Sequence, residues 1–129
     1  MNYQHILVAV DLTPSSQVVI DKAISLAKGT NCKVSFVFVD VNSVFIAPRE
    51  EHKIEHELQV LAKKSGYPIT DTLVVMGDLH IKLSGVVKRM GIDLVVCGHH
   101  HNFLSRLFSS VPKLANAVEA DLLVVYLKQ

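Results

Sequence analysis

The residues best suited to chemistry are three histidines in a row, in the turn Gly98-His99-His100-His101 that follows an apolar run. Neutral imidazole is a common ligand of zinc, copper and nickel, so this turn raises a metal hypothesis. Adjacent residues in a turn rarely converge on one ion, and no cysteine or carboxylate follows at ligand spacing. We therefore expect no metal here, with one imidazole hydrogen-bonded to a neighbouring loop and the others solvated.

A second histidine motif, His52-Lys53-Ile54-Glu55-His56, matches the H-x-x-E-H string of inverted zinc proteases. An open zinc site also needs a third protein ligand from another element, and the chain marks none. The solvated face of an amphipathic helix explains this pattern. Ser15 and Ser16 are expected to be exposed polar residues, because no histidine base is held beside them. The sequence thus predicts no catalytic residues, and we expect that the protein is not an enzyme.

Five short apolar runs, rich in β-branched residues, predict five strands buried on both faces. These runs are Ile6–Val10, Val34–Val39, Thr72–Met76, Leu94–Cys97 and Leu122–Leu127. Apolar residues at helical spacing lie between them. The three helical stripes are Ile20-Ala23-Ile24-Ala27, Ile54-Leu58-Leu61-Ala62 and Leu83-Val86-Val87-Met90. A fourth helix is expected to begin at Ser109 or Ser110.

Residues at the ends of these segments support the alternation. Thr13 is expected to cap the first helix, with Pro14 at its first position and Gly29 just past its end. Acidic residues open the second helix at Glu50, and lysines close it at Lys64, an order that complements the helix dipole. Of the connections, 42–49 is predicted to be irregular.

Strict alternation of buried strands and helices predicts a doubly wound α/β fold, a parallel sheet with helices on both faces, in a single domain spanning residues 1–129. Ligands of such folds bind beyond the carboxyl ends of the strands. Those ends offer Asp11-Leu12-Thr13, Asp40, Gly77-Asp78 and the Gly98 turn. The search for a site is confined to these four places.

Composition excludes several classes of function. Lys and Arg total 13 against 12 for Asp and Glu, so we expect no binding to nucleic acid or an anionic membrane. The apolar runs are far shorter than the ~20 residues of a membrane-spanning helix. The chain enters an apolar strand at Ile6, which leaves no room for a signal peptide. We expect a soluble cytoplasmic protein with Cys32 and Cys97 buried and reduced.

The familiar phosphate motifs are missing. A phosphotransfer receiver needs clustered carboxylates and an acceptor aspartate after the third strand, where this chain has Met76-Gly77 and only then Asp78. A dinucleotide fold needs GxGxxG after the first strand, where the chain reads DLTPSS. The lysine-bearing P-loop is absent too. None of these three chemistries is expected.

Several segments together resemble the universal stress protein family, in its A-like class, over essentially the whole chain. They are HILVAVDLTPSS, GYPIT, MGDL, DLVVCGHHHNFLSRLFSS and ADLLVVYL. The resemblance implies strand order 3-2-1-4-5, which would bring Asp11 and Gly98 to the same crevice. It also implies a nucleotide-type site, whose candidate residues here are Asp11, Thr13, Val39, Asp40, Cys97, Gly98, His101, Ser109 and Ser110.

The resemblance is incomplete at the phosphate end of that site. Nucleotide-binding members carry Gly, two residues, Gly, nine residues, then Gly followed by Ser or Thr. Here Gly98 keeps the first position, whereas His101 takes the second and Ser109-Ser110 lies near the third. Glycines let backbone amides approach phosphate without a Cβ. We therefore expect no ATP cofactor. The resemblance still implies an adenine and ribose half-site, with Asp11 holding the ribose and the backbone near Val39 the base, which leaves an ATP-dependent switch or slow ATPase open. Asp11 is equally well explained as a cap of the following helix.

The last strand suggests a partner. In the implied order it is a sheet edge, yet Leu122, Leu123, Val124, Val125, Tyr126 and Leu127 carry no charge to protect it. Homodimerisation through this strand is the expected solution, in line with the resemblance, and heterodimers with related stress proteins are possible. The family implies a role in stress resistance through binding or regulation.

Overall fold

The structure, a computed structural model, describes residues 3–40, 48–76, 79–98 and 119–127. Its strands are β1 His5–Val10, β2 Lys33–Asp40, β3 Ile69–Met76, β4 Leu94–Gly98 and β5 Asp121–Val125. Its helices are α1 Ser16–Ala27, α2 Pro48–Lys64 and α3 Leu79–Met90. The predicted fourth helix, Asp78 and most of the 42–49 connection lie outside the described residues.

The strands form one parallel sheet in the order β3-β2-β1-β4-β5, as predicted. Strand β1 lies at the centre, where Val8 pairs with Phe36 of β2 on one side and Val96 of β4 on the other. Every residue of β1 and β4 is buried. Most residues of β3 and β5 are partly or fully exposed, so the prediction of burial on both faces is wrong for these edge strands.

The sheet separates two apolar cores. Helices α1 and α2 cover one face, where Ile20, Ala23 and Leu58 are fully buried against Ile6 and Val8. Helix α3 covers the other, where Leu83, Val86 and Val87 pack on residues such as Leu7 and Val95. All three predicted helical stripes therefore face the sheet, because apolar side chains repeating every three to four residues line one side of a helix.

Two helix starts differ from expectation. Helix α1 begins at Ser16 instead of Pro14, after a turn in which the Thr13 carbonyl accepts the Ser16 amide at 3.0 Å. Helix α2 includes Pro48 and Arg49, which were expected to be irregular; proline is well tolerated in a first helical turn. The connections after α2 and α3 turn at Gly66 and Gly91, whose φ angles of 72° and 67° favour glycine.

Candidate functional site

The strand order brings the ends of β1 and β4 together. Asp11 follows β1 directly and Gly98 is the last residue of β4, so both lie at the carboxyl edge of the sheet. Val39 and Asp40 end β2 at the same edge, paired through their backbones with Val75 and Met76 of β3. The candidates His101, Ser109 and Ser110 lie outside the described residues. Asp11 and Gly98 therefore share an edge, as the strand order required.

Asp11 is held by the turn that follows it. Its Oδ1 accepts hydrogen bonds from the Thr13 amide (3.0 Å), the Thr13 hydroxyl (2.5 Å) and the Ser16 hydroxyl (2.8 Å). Leu12 between them has a φ of 64°, in the left-handed region that a non-glycine residue seldom adopts. A short carboxylate that bonds backbone two residues ahead is typical of a turn that introduces a helix. The prediction that Thr13 caps α1 is therefore wrong: Ser15 occupies the N-cap position without a side-chain capping bond, and Thr13 instead bonds Asp11.

Ser16 contradicts its prediction. Its side chain was expected to be exposed and is fully buried. Besides donating to Asp11 Oδ1, its hydroxyl accepts the Asp11 amide at 2.9 Å, so the two residues bond reciprocally. This pairing joins the end of β1 to the start of α1. The motif Asp-x-x-x-x-Ser across a strand end was the signal that could have revealed it, since both groups need partners when buried.

A recess of about 300 Å³ opens beside this turn, between the β1–α1 connection and helix α2. Its lining is Leu12, Thr13, Pro14, Glu57, Val60 and Leu61. The volume is at the lower end of small-molecule sites. Among the described lining residues the one charged side chain is Glu57, whose carboxylate disfavours an anionic guest by like-charge repulsion. The recess therefore suits a neutral or cationic group better than a triphosphate.

Cys97 lies one residue before the end of β4 and its side chain is fully buried in the core under α3. Burial raises the pKa of its thiol to about 12, because the thiolate would lose its solvation. The pKa of Cys32 is raised too, first by burial and second by the charge of Asp93. Both cysteines are free and buried, as predicted. Because its thiol is buried, Cys97 can contact a ligand at this edge only through its backbone.

A buried polar cluster that the sequence reading missed lies at the opposite, amino edge of the sheet. His5 Nδ1 is 3.0 Å from the carbonyl oxygen of Met90, and its Nε2 is 2.8 Å from the hydroxyl of Ser35. A carbonyl only accepts, so Nδ1 carries the proton and, in the neutral ring, Nε2 accepts from the serine. His5 is 5% exposed and Ser35 is not exposed, so no substrate reaches this pair. Its role is to satisfy polar groups inside the core.

Asp93 completes the amino edge. Its two carboxylate oxygens accept the backbone amides of Gln4 (2.8 Å) and His5 (3.1 Å). Its own amide donates to the His5 carbonyl, and its carbonyl accepts the Asp121 amide. One residue thereby connects the starts of β1, β4 and β5.

The H-x-x-E-H motif does lie on helix α2. The His52 side chain is 83% exposed, and its Nδ1 is 3.9 Å from Glu55 Oε2. Within residues 3–40, 48–76, 79–98 and 119–127, no three His, Cys, Asp or Glu side chains group closely enough to hold a metal. In those same ranges no helix is long and apolar enough to cross a membrane.

Comparison with known proteins identifies relatives along the whole chain. Residues 2–126 match the model of the universal stress protein family. Universal stress protein A of Escherichia coli K12 is 43% identical, covering 99% of this chain and 97% of its own length. Universal stress protein A of Photorhabdus laumondii is 44% identical, with 99% and 98% covered.

Solved structures share the fold. A universal stress protein crystallised in complex with cAMP is 27% identical, with a TM-score of 0.65 over 97% of this chain and 98% of its own. A universal stress protein from Archaeoglobus fulgidus reaches a TM-score of 0.69 at 16% identity, covering 99% and 96% of the two chains. Because the identity is this low, the match supports only the strand order and the helix layers.

Proposed function

Because the chain belongs to the universal stress protein family, we propose that it acts as an A-type member in the cytoplasm: a homodimer that supports stress resistance by binding and regulating partners, without binding ATP. The near-full-length similarity to universal stress protein A carries this proposal. No catalytic role is proposed, because among the described residues the serine and histidine that bond each other, Ser35 and His5, are buried.

The absence of ATP binding is supported at both halves of the site. At the phosphate half, His101 stands at a sequence position where nucleotide-binding members carry glycine, the residue that lets backbone amides approach phosphate without a Cβ. At the other half, Oδ1 of Asp11 already accepts three hydrogen bonds from its own turn. The carboxylate of Glu57 lines the adjacent recess. Each feature weakens the attraction for a polyanion.

Purification without added nucleotide, followed by denaturation and chromatography, tests this proposal. We expect no adenine nucleotide in the released fraction, and no heat of binding when the protein is titrated with ATP. Stoichiometric ATP in that fraction would contradict the proposal.

A second candidate is a nucleotide-dependent switch or slow ATPase. One observation favours it, the 27% identical relative crystallised with cAMP. The recess beside Asp11 is compatible with the neutral adenosine part of such a ligand, though not with its phosphates. Titration with adenosine, cAMP and ATP separates the candidates. Binding of adenosine but not ATP would indicate that the chain has an adenosine half-site but no site for the phosphates. Hydrolysis of bound ATP would favour the second candidate.

The proposed homodimer is supported by β5. Leu122, Val124 and Tyr126 are 36%, 38% and 74% exposed, while Leu123 and Val125 pack on the core beneath α1. Among the described strands β5 pairs with β4 alone, so its outer edge is available for a twofold partner. Val124→Glu would bury a charge in that interface and is expected to give a monomer by analytical ultracentrifugation.

The matched control is Val18→Glu, which changes an equally apolar residue that is 51% exposed on α1. This variant is expected to remain dimeric. A monomeric unmutated protein at micromolar concentration would overturn the homodimer. In a strain lacking the gene, the unmutated protein is expected to restore survival under stress. The Val124→Glu variant is expected to fail to restore it.

A further inference from the structure

At the other edge of the sheet, the side of β3 meets helix α3 in an open groove of about 370 Å³. In the described part of the chain the lining is mostly apolar, with two cations: Leu73, Val74, Val75, Met76, Ile81, Lys82, Gly85, Val86 and Arg89. Ile81 is 71% exposed beside it. The groove lies along an edge strand, far in the sheet order from β5, and does not depend on the function proposed above.

The two cations are suited to a partner. Lys82 and Arg89 are seven residues apart on α3, so they lie on one face about 10 Å from each other along the helix axis. Within the described part of the chain, neither makes an ion pair or a hydrogen bond. Two unpaired cations that border an apolar groove select a ligand with apolar and carboxylate groups.

Gly85 lies between these cations in the middle of the helix. Glycine there costs about 1 kcal/mol relative to alanine, and a Cβ built on it would meet nothing within 4 Å. Packing therefore does not require a glycine at this position. The missing side chain instead deepens the groove between Lys82 and Arg89.

Strand β3 adds the backbone. It has eight residues, and among the described strands it pairs with β2 alone, so its outer amides and carbonyls face away from the sheet. An extended peptide can join such an edge, with main-chain bonds supplying affinity and alternate side chains entering adjacent pockets. Four residues of an extended strand span about 13 Å, within reach of both flexible cations.

We propose that this groove binds an extended segment of a partner protein, added beside β3, in which two acidic side chains flank an apolar one on the same face. The acidic residues would pair with Lys82 and Arg89, and the apolar residue would enter the space above Gly85.

A labelled peptide with the core Glu-Thr-Val-Thr-Glu tests the proposal by fluorescence anisotropy. Versions with lysine or glutamine in place of glutamate are expected to bind at least about tenfold more weakly. The double variant Lys82→Glu with Arg89→Glu is expected to reverse this order and prefer the lysine peptide. Lys88→Glu, which makes the same charge change on α3 outside the groove lining, is expected to keep the original affinity within about twofold.

Gly85 gives a paired test of shape. Gly85→Leu fills the groove and is expected to weaken the acidic peptide at least about tenfold, whereas Gly85→Ala is expected to raise the melting temperature. Circular dichroism on each variant verifies folding. Methylating alternate amides of the peptide is expected to abolish binding in one register and spare it in the other, as strand pairing requires.

Three results would overturn the proposal. One is no saturation below about 1 mM peptide. Another is equal affinity for acidic and basic peptides. The third is binding of a laurate probe that the Gly85→Leu substitution abolishes, in a protein that binds none of the peptides. The groove would then be a site for a small amphipathic carboxylate.

Discussion

At the amino end of β1, His5 bonds partners 30 and 85 residues away, whereas at the carboxyl end Asp11 bonds partners two and five residues away. Polar side chains make hydrogen bonds at both ends of the strand. Distant segments inside the core supply the partners of His5, whereas the hydrogen bonds described for Asp11 join it to the turn that follows it. A loss at the first should therefore affect the whole sheet, and a loss at the second should stay local.

Removing the buried imidazole should have the largest effect. His5→Leu keeps much of the volume but leaves the Ser35 hydroxyl and the Met90 carbonyl without their partner, which is expected to lower the free energy of unfolding by about 2–4 kcal/mol. Urea denaturation measures it. In the double variant with Ser35→Ala, one orphaned group is gone, so the combined loss should be smaller than the sum of the single losses. Strict additivity would contradict the direct bond.

The Cys97 thiol should make stability depend on pH near the carboxyl edge. Burial raises its pKa from an ordinary 9.0 to about 12, so the folded chain keeps a proton that the unfolded chain releases above pH 9. This contribution is complete below pH 9 and falls by about 1.4 kcal/mol per pH unit up to pH 12. Denaturation at pH 8 and 10.5 should show a steeper decline for the unmutated protein than for Cys97→Ala. Equal losses of stability in the two proteins would contradict this prediction.

Asp11→Ala should cost about 1–2 kcal/mol: solvent can replace the bonds of exposed Thr13, while the buried Ser16 hydroxyl loses its acceptor and keeps only the backbone amide of residue 11. Asp11→Asn keeps an acceptor oxygen and is expected to retain most of the stability. Thermal unfolding compares the two variants. A loss as large as that of His5→Leu would end the contrast between the two ends of β1.

The smallest effect is expected at the exposed rim of the amino edge. The Tyr3 hydroxyl donates to Asp121 Oδ2 at 2.8 Å, and this hydrogen bond raises the pKa of the phenol above its ordinary value. Tyr3→Phe should leave the unfolding midpoint unchanged, since an exposed bond is readily replaced by water. Asp121→Asn should lower the pKa of Tyr3 in a spectrophotometric titration.

The same contrast explains what the sequence could predict. Runs such as Ile6–Val10 and stripes such as Leu83-Val86-Val87-Met90 follow directly from the periods of strand and helix, so the five strands and the first three helices were predicted in their order along the chain. The order of the strands in the sheet came from the family resemblance. The first helix was expected to start at Pro14, whereas the chain turns at a left-handed Leu12 and the helix begins at Ser16. The spacing of Asp11 and Ser16 was the local signal of this turn, and it was not used.

Buried polar residues were the other gap. His5 lies just before the predicted strand Ile6–Val10, and Ser35 lies inside the run Val34–Val39, so nothing in the sequence indicated that these two polar side chains meet. Their burial follows from pairing between segments 30 and 85 residues apart, which composition and period do not encode. The exposure of β3 was missed for a related reason, because its edge position depends on the assembled sheet; the last strand was identified as an edge from the implied strand order, but burial on both of its faces was still predicted.

The central position of β1 also sets the order in which the protein can be completed. Strand β1 is made first, yet one of its two sides pairs with β4, and its amino end bonds Asp93, 88 residues later. On the ribosome, β1, β2 and β3 can pair while the opposite flank of β1 stays open until residue 98 emerges. That flank is an apolar strand edge, the kind of surface that chaperones shield, so folding of this chain should be most vulnerable during the synthesis of its second half.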